Sequence, residues 1–193
     1  MAWSNAPLTR GEVESLTNVW RARGLVPVLI AVASAFAAWA LLLPVVPTAV
    51  IDADQPASLA GLSTGVFMLA TVITQVFVPK ALKTVGYRWV IAVASLLLGI
   101  PALGYMIGME PAPLLTVSAI RGVGFGALSV AEAAIVAELV PLRLLGSATG
   151  IFGVVVGLAQ MVALPSGLAL VDVVGYNAVY IIATAIGAVS LAA

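Results

Sequence analysis

The chain has 193 residues, of which 63% are apolar and only 8% charged. A soluble domain carries about 25% charged residues, so there is too little polar surface here to cover a water-soluble globule. Eight Lys/Arg balance eight Asp/Glu, and His and Cys are absent. That excludes thiol and imidazole catalysis, disulfides, and zinc or iron–sulfur ligation, and it leaves no basic face for a nucleic acid.

Residues 1–23 are too polar to cross a membrane. Val13, Leu16 and Trp20 recur at helical spacing beside Arg21 and Arg23, which predicts a cytoplasmic amphipathic segment lying on the leaflet. Uncharged stretches then run over 24–51, 55–79, 89–109, 144–171 and 173–193. A further apolar stretch, 112–139, contains Arg121, Glu132 and Glu138. Each reaches the roughly 20 residues a helix needs to cross a bilayer core of about 30 Å. The expected fold is all-α, with six transmembrane helices, spans 1 to 6 in chain order. Span 1 follows an acidic, overlong N-terminus and lacks a cleavage site, so it reads as a retained helix.

The charges set the orientation. Arg10, Arg21 and Arg23 precede span 1, Lys80, Lys83 and Arg88 separate spans 2 and 3, and Arg143 separates spans 4 and 5. The alternate connections carry Asp52, Asp54, Glu110 and Asp172, without Lys or Arg. The positive-inside rule then places the N-terminus in the cytoplasm of a multi-pass protein of the plasma (inner) membrane.

Two junctions share the pattern V-G-Y-x-x-V, at 85–90 and 174–179, and the same offset pairs Lys83 with Asp172. Three helices reverse the chain direction, so the pattern predicts two inverted three-helix repeats, 24–109 and 110–193, a transporter architecture.

On the residues that follow, the chain resembles the N-terminal six-helix half of a major facilitator superfamily transporter, of the drug- and sugar-efflux branch. The stretch Pro79-Lys80-Ala81-Leu82-Lys83-Thr84-Val85-Gly86-Tyr87-Arg88 aligns with the family's G-x-x-x-D-R-x-G-R-R loop. Gly86 and Arg88 match, while Pro79 replaces the first Gly and Lys83 the acidic residue. Arg121-Gly122-Val123-Gly124-Phe125-Gly126 resembles the intramembrane Arg followed by glycines, and Leu164-Pro165-Ser166-Gly167 partly matches the antiporter Gly-Pro motif. The resemblance implies a proton-coupled antiporter exporting small molecules by alternating access, with Lys83, Gly86 and Arg88 in a cytoplasmic loop gate. It implies a lipid bilayer, protons and a small-molecule substrate as partners, no cofactor, no metal and no enzymatic activity. Such transporters have a second six-helix half, which is absent here, and the apolar run ending at Ala193 lacks a basic anchor. The expectation is therefore an N-terminal half or fragment. A half-size transporter acting as a dimer, or a non-transporting scaffold assembled with a partner membrane chain, is the alternative.

Within the spans, Arg121 stands out, since a mid-membrane Arg costs about 2.5–3.5 kcal/mol unless it has a partner or a wet cavity. By the resemblance it faces the transport path. Glu132 falls on the same helix face about 16 Å further along the axis, too far for a salt bridge, and is a candidate proton carrier. Gln75 and Gln160 are expected either to line the cavity or to join helices by hydrogen bonds. Trp39, mid-span, is placed to stack on a substrate or on the core. Gly122, Gly124 and Gly126, and the G-x-x-x-G of Gly153 and Gly157, are expected to bring helices close. Pro44, Pro47 and Pro165 are expected to interrupt spans 1 and 5. An intramembrane protease is disfavoured, because the chain has no His and no Asp within a span.

Overall fold

A chain in hydrocarbon must satisfy its own backbone N–H and C=O groups, and an apolar run of this length does so as a helix. The computed structural model describes residues 16–192, with side chains through Ser190. In it α1 runs Leu25–Asp52, α2 Ala57–Val85, α3 Tyr87–Gly99, α4 Pro111–Glu138 and α5 Leu145–Ala192. Shorter 3-10 pieces occupy Val19–Arg21, Ile100–Met106 and Leu142–Leu144, and all regular structure among the described residues is helical. Among the described residues five helical stretches are long and apolar enough to cross a membrane.

The last of these spans 49 residues, more than twice what a bilayer core requires. Gly175, at φ 80° and ψ 167°, divides it into two helical arms. Gly167 lies against Leu41 and Gly187 against Ala38, neighbouring turns of α1. A straight helix would hold those two glycines about 30 Å apart, so the chain reverses at Gly175. The expected loop there is a single residue, and Asp172 sits in helix rather than in a loop.

The junction after α2 is similar. The helix does not stop at Pro79 but continues to Val85, so Lys80 and Lys83 lie on its final turns and Gly86 alone joins α2 to α3. Lysines at a helix end reach the interface along their apolar stems, so their charge does not terminate the helix. The prolines also fail to interrupt: α1 passes through Pro44 and Pro47, and α5 through Pro165, without a break at either. Packed neighbours hold such helices together in a membrane bundle. Pro101, not singled out from sequence, does alter geometry, since the chain turns from α to 3-10 at Ile100–Met106.

Of the predicted amphipathic segment, residues 1–15 lie outside the described residues. The remainder forms one 3-10 turn, begun by Asn18 Oδ1 accepting from Trp20 N at 3.0 Å. Val19 and Ala22 are buried against Leu25, Leu29 and Val136, and Trp20 is exposed.

Packing is interleaved. α1 lies chiefly against both arms of α5, whereas α4 lies against α2 and α3. α2 and α4 run parallel, as the contacts of Gly122 with Phe67 and Gly126 with Thr71 require, and the stretch from α3 into the 3-10 turn runs antiparallel to α4, as Gly124 with Leu98 and Gly104 with Val117 require. A Cβ at Gly122, Gly124 or Gly126 would meet neighbouring backbone at 2.3–2.5 Å, so glycine is what permits the approach. Gly153 and Gly157 differ: they are exposed on α5 with nothing within 4 Å of an added Cβ, so they bring no helix of this bundle close.

Candidate functional site

The close seat of α4 on α2 and α3 carries Arg121, next to Gly122, into the bundle, where it is 3% exposed. Its Nε donates to Leu98 O at 3.1 Å. That carbonyl is free because of the 3-10 turn: in that register its donor would be residue 101, and Pro101 has no N–H. The guanidinium also lies over the rings of Phe67 (5.9 Å) and Tyr105 (5.6 Å). Tyr105, on the 3-10 stretch, shares a hydrogen bond of 3.0 Å with Ser118 Oγ, and its ring lies 5.6 Å from that of Tyr180.

Arg121, Tyr105, Ser118, Ser63, Phe67 and Trp39 line a cavity of about 30 Å³. Trp39 is stacked on Phe125 at 4.7 Å and 17°, with Phe36 edge-on to both. Trp39 thus belongs to the aromatic core and to the cavity wall. Among the described residues its buried indole Nε1 has no acceptor and the buried Tyr180 hydroxyl no partner.

Glu132 is wholly buried, and neither carboxylate oxygen has a partner among the described residues. It lies three turns beyond Arg121 on α4, toward the basic end, and does not join the cavity. Gln75 is committed to helix–helix bonding, its Nε2 donating to Ser129 Oγ at 3.1 Å, beside Thr71 Oγ1 donating to Gly122 O at 3.1 Å. Gln160 is half-buried on α5 and is not part of the cavity lining.

The expected gate residues Lys83 and Arg88 are exposed beside Gly86, which has φ 88° and ψ 160°. The two V-G-Y junctions share more than sequence. Tyr87 donates to Glu138 Oε1 at 2.6 Å, at the C-terminal end of α4. Tyr176 donates to Asp52 Oδ2 at 2.5 Å, at the C-terminal end of α1. Near Glu138, Arg143 donates to Leu16 O. The tyrosine–carboxylate pairs and Tyr105 escaped sequence reasoning. The V-G-Y repeat marked the tyrosines, but nothing local in sequence names their partners. Among the described residues no cluster of acidic side chains is dense enough to hold a metal ion.

A family model described as Major Facilitator Superfamily matches residues 28–193 of the chain. No curated protein matches it.

Proposed function

The chain belongs to the major facilitator superfamily, a family of membrane transporters, and on that premise we propose that it is a secondary active transporter that exports small molecules against proton uptake. The observation that carries this reading is the pair of ionisable side chains buried on α4, Arg121 and Glu132, neither with an ion-pair partner among the described residues. An unpaired buried charge costs several kcal/mol, so groups like these belong on a pathway where a ligand or proton completes them. Arg121 serves the substrate cavity with Trp39; Glu132 carries the proton nearer the basic end, which faces the cytoplasm.

The reversal at Gly175 supports six membrane spans. The matching φ/ψ of Gly86 and Gly175, and the reciprocal bonds of Tyr87 to α4 and Tyr176 to α1, support inverted repeats over 24–109 and 110–193. Alternating access then rocks this six-helix unit against a second one. The surface for it is supplied by the outward residues of α2 and α5, including Gly61, Gly65, Gly153 and Gly157 with nothing against them. The same surface favours a second reading, a scaffold that assembles with another membrane chain without transporting.

The test is gradient-driven flux in everted vesicles energised acid-inside, screened over neutral, cationic and anionic amphipathic dyes and acids. Flux is expected with the unmodified chain and is lost in Glu132→Gln. Equal flux in Glu132→Gln and Arg121→Ala removes both residues from the mechanism. A stoichiometric co-purifying membrane partner without flux favours the scaffold.

A further inference from the structure

We propose that the Arg121 cavity is the head-group subsite for an anionic substrate, an organic acid with a planar carboxylate and an apolar body. The inference rests on the transporter reading above and names its substrate class. The starting point is a charge left uncompensated. Arg121 is 3% exposed, and among the described residues only its Nε has an acceptor, the Leu98 carbonyl. No acidic side chain among the described residues pairs with it; its other close neighbours are the faces of Phe67 and Tyr105. An aromatic face offsets part of a buried cation's lost hydration, not all of it. The terminal amines of the guanidinium form the fork that matches a carboxylate.

The rest of the lining agrees in sign. Trp39 contributes an indole N–H without an acceptor among the described residues, whereas Ser63 already donates to Ala60 O at 2.8 Å and Ser118 Oγ is bonded to the Tyr105 hydroxyl at 3.0 Å. The lining includes the Arg121 guanidinium and the Trp39 N–H and no carboxylate, so the negative charge comes from the occupant. The remaining walls are apolar or flat: Leu42, Leu43 and Val46 beside the Trp39–Phe125 stack. A cavity of about 30 Å³ is roughly twice what one water requires. It takes the two oxygens of a carboxylate and leaves the apolar body to the opening. An ammonium head group is repelled by the same Arg and finds no carboxylate in the lining to offset that charge.

The experiment measures equilibrium binding of radiolabelled benzoate to the purified 193-residue chain in a neutral maltoside detergent, with benzamide and benzylamine as uncharged and cationic competitors. Saturable benzoate binding is expected, with neither competitor displacing it. Arg121→Gln is expected to weaken it roughly hundredfold. Arg121→Lys, which keeps the charge and loses the fork, weakens it about tenfold. Trp39→Phe, which keeps the stack on Phe125 and loses the N–H, weakens it about three- to tenfold. Should Arg121→Gln fail to fold, the Lys and Phe variants decide the matter. The proposal is overturned by absence of saturable benzoate binding at millimolar concentration, by benzamide competing as well as benzoate, or by wild-type binding in both Arg121→Lys and Trp39→Phe. Binding is read without a gradient, so it separates from the transporter reading. Benzoate bound as expected with no gradient-driven flux sinks transport and leaves the subsite. Flux that Glu132→Gln abolishes, with no benzoate binding, does the reverse.

Discussion

Gly122→Ala adds one methyl group at the tightest point between α2 and α4. Its Cβ would lie 2.3 Å from Phe67 O and 2.9 Å from Ala70 Cβ, where ordinary contact starts at 3.4 Å. The obstacle is backbone, which has no rotamer to yield, so the helices must part by about 1.1 Å. Overpacking of this kind costs about 1–3 kcal/mol. The same separation stretches the 3.1 Å bond from Thr71 Oγ1 to Gly122 O beyond hydrogen-bonding range, a further ~0.6 kcal/mol in a membrane bundle. Against this, Ala is favoured over Gly within a helix by about 0.5–1 kcal/mol. The expected net loss is roughly 1–3 kcal/mol. Gly157→Ala is the matched control, because nothing lies within 4 Å of its added Cβ and only the helix term remains, a gain of up to about 1 kcal/mol. The assay is reversible unfolding of the purified chain in mixed micelles titrated with dodecyl sulfate, followed by circular dichroism. Gly122→Ala should shift the midpoint down and Gly157→Ala leave it unchanged or raise it. Equal midpoints, or a lower one for Gly157→Ala, would refute the assignment of inward and outward glycines.

The junction glycines make a backbone prediction: Gly86→Ala and Gly175→Ala meet no neighbour, yet their φ of 88° and 80° with ψ near 160° is a region other residues avoid. Each should cost about 1–3 kcal/mol in the same titration, and a neutral outcome at either position would remove the reversal geometry from the account. Tyr87→Phe and Tyr176→Phe each delete one hydrogen bond to a carboxylate, at opposite ends of the bundle, for about 0.5–1.5 kcal/mol. The double variant should be additive within about 0.5 kcal/mol; strong coupling between them would show the two ends to be linked.

Hydropathy and charge spacing were enough to place the long helices, because hydrocarbon thickness fixes their length and charges collect where it ends. They were poor at the ends themselves. Lys80 and Lys83 continue α2 and Asp172 continues α5, because a charge on the last turns already reaches polar surroundings. Facing was harder still. Gly122 and Gly157 look alike in sequence, both set in apolar helix, yet one touches backbone and the other nothing. In lipid an outward face is as apolar as an inward one, so periodicity does not distinguish them. Arg121 was legible because a lone charge in an apolar span is expensive wherever it points. The turn that receives it was not, since Pro101 frees the Leu98 carbonyl only through the change to a 3-10 register. Gln75 shows the same limit: its sequence position left cavity lining and helix–helix bonding both open, and the structure shows its Nε2 donating to Ser129 Oγ.

The interleaved packing bears on the order in which the chain is made. α1 is synthesised first, yet the surface that covers it, around Gly167 and Gly187 of α5, follows about 125–150 residues later. At ribosomal speed that delay is on the order of ten seconds. Throughout it α1 must wait in lipid with its eventual inner face bare, and that face, with Leu25, Val32, Val45 and Val50, is apolar enough to wait. α4 is in the opposite position: its neighbours α2 and α3 already stand in the membrane when it arrives. The two ionisable side chains buried deep in the bundle, Arg121 and Glu132, are both on α4. Arg121 thus enters after the residues it touches, Phe67, Leu98 and Tyr105, and the helix with the longest wait carries no charge until Asp52 at its end.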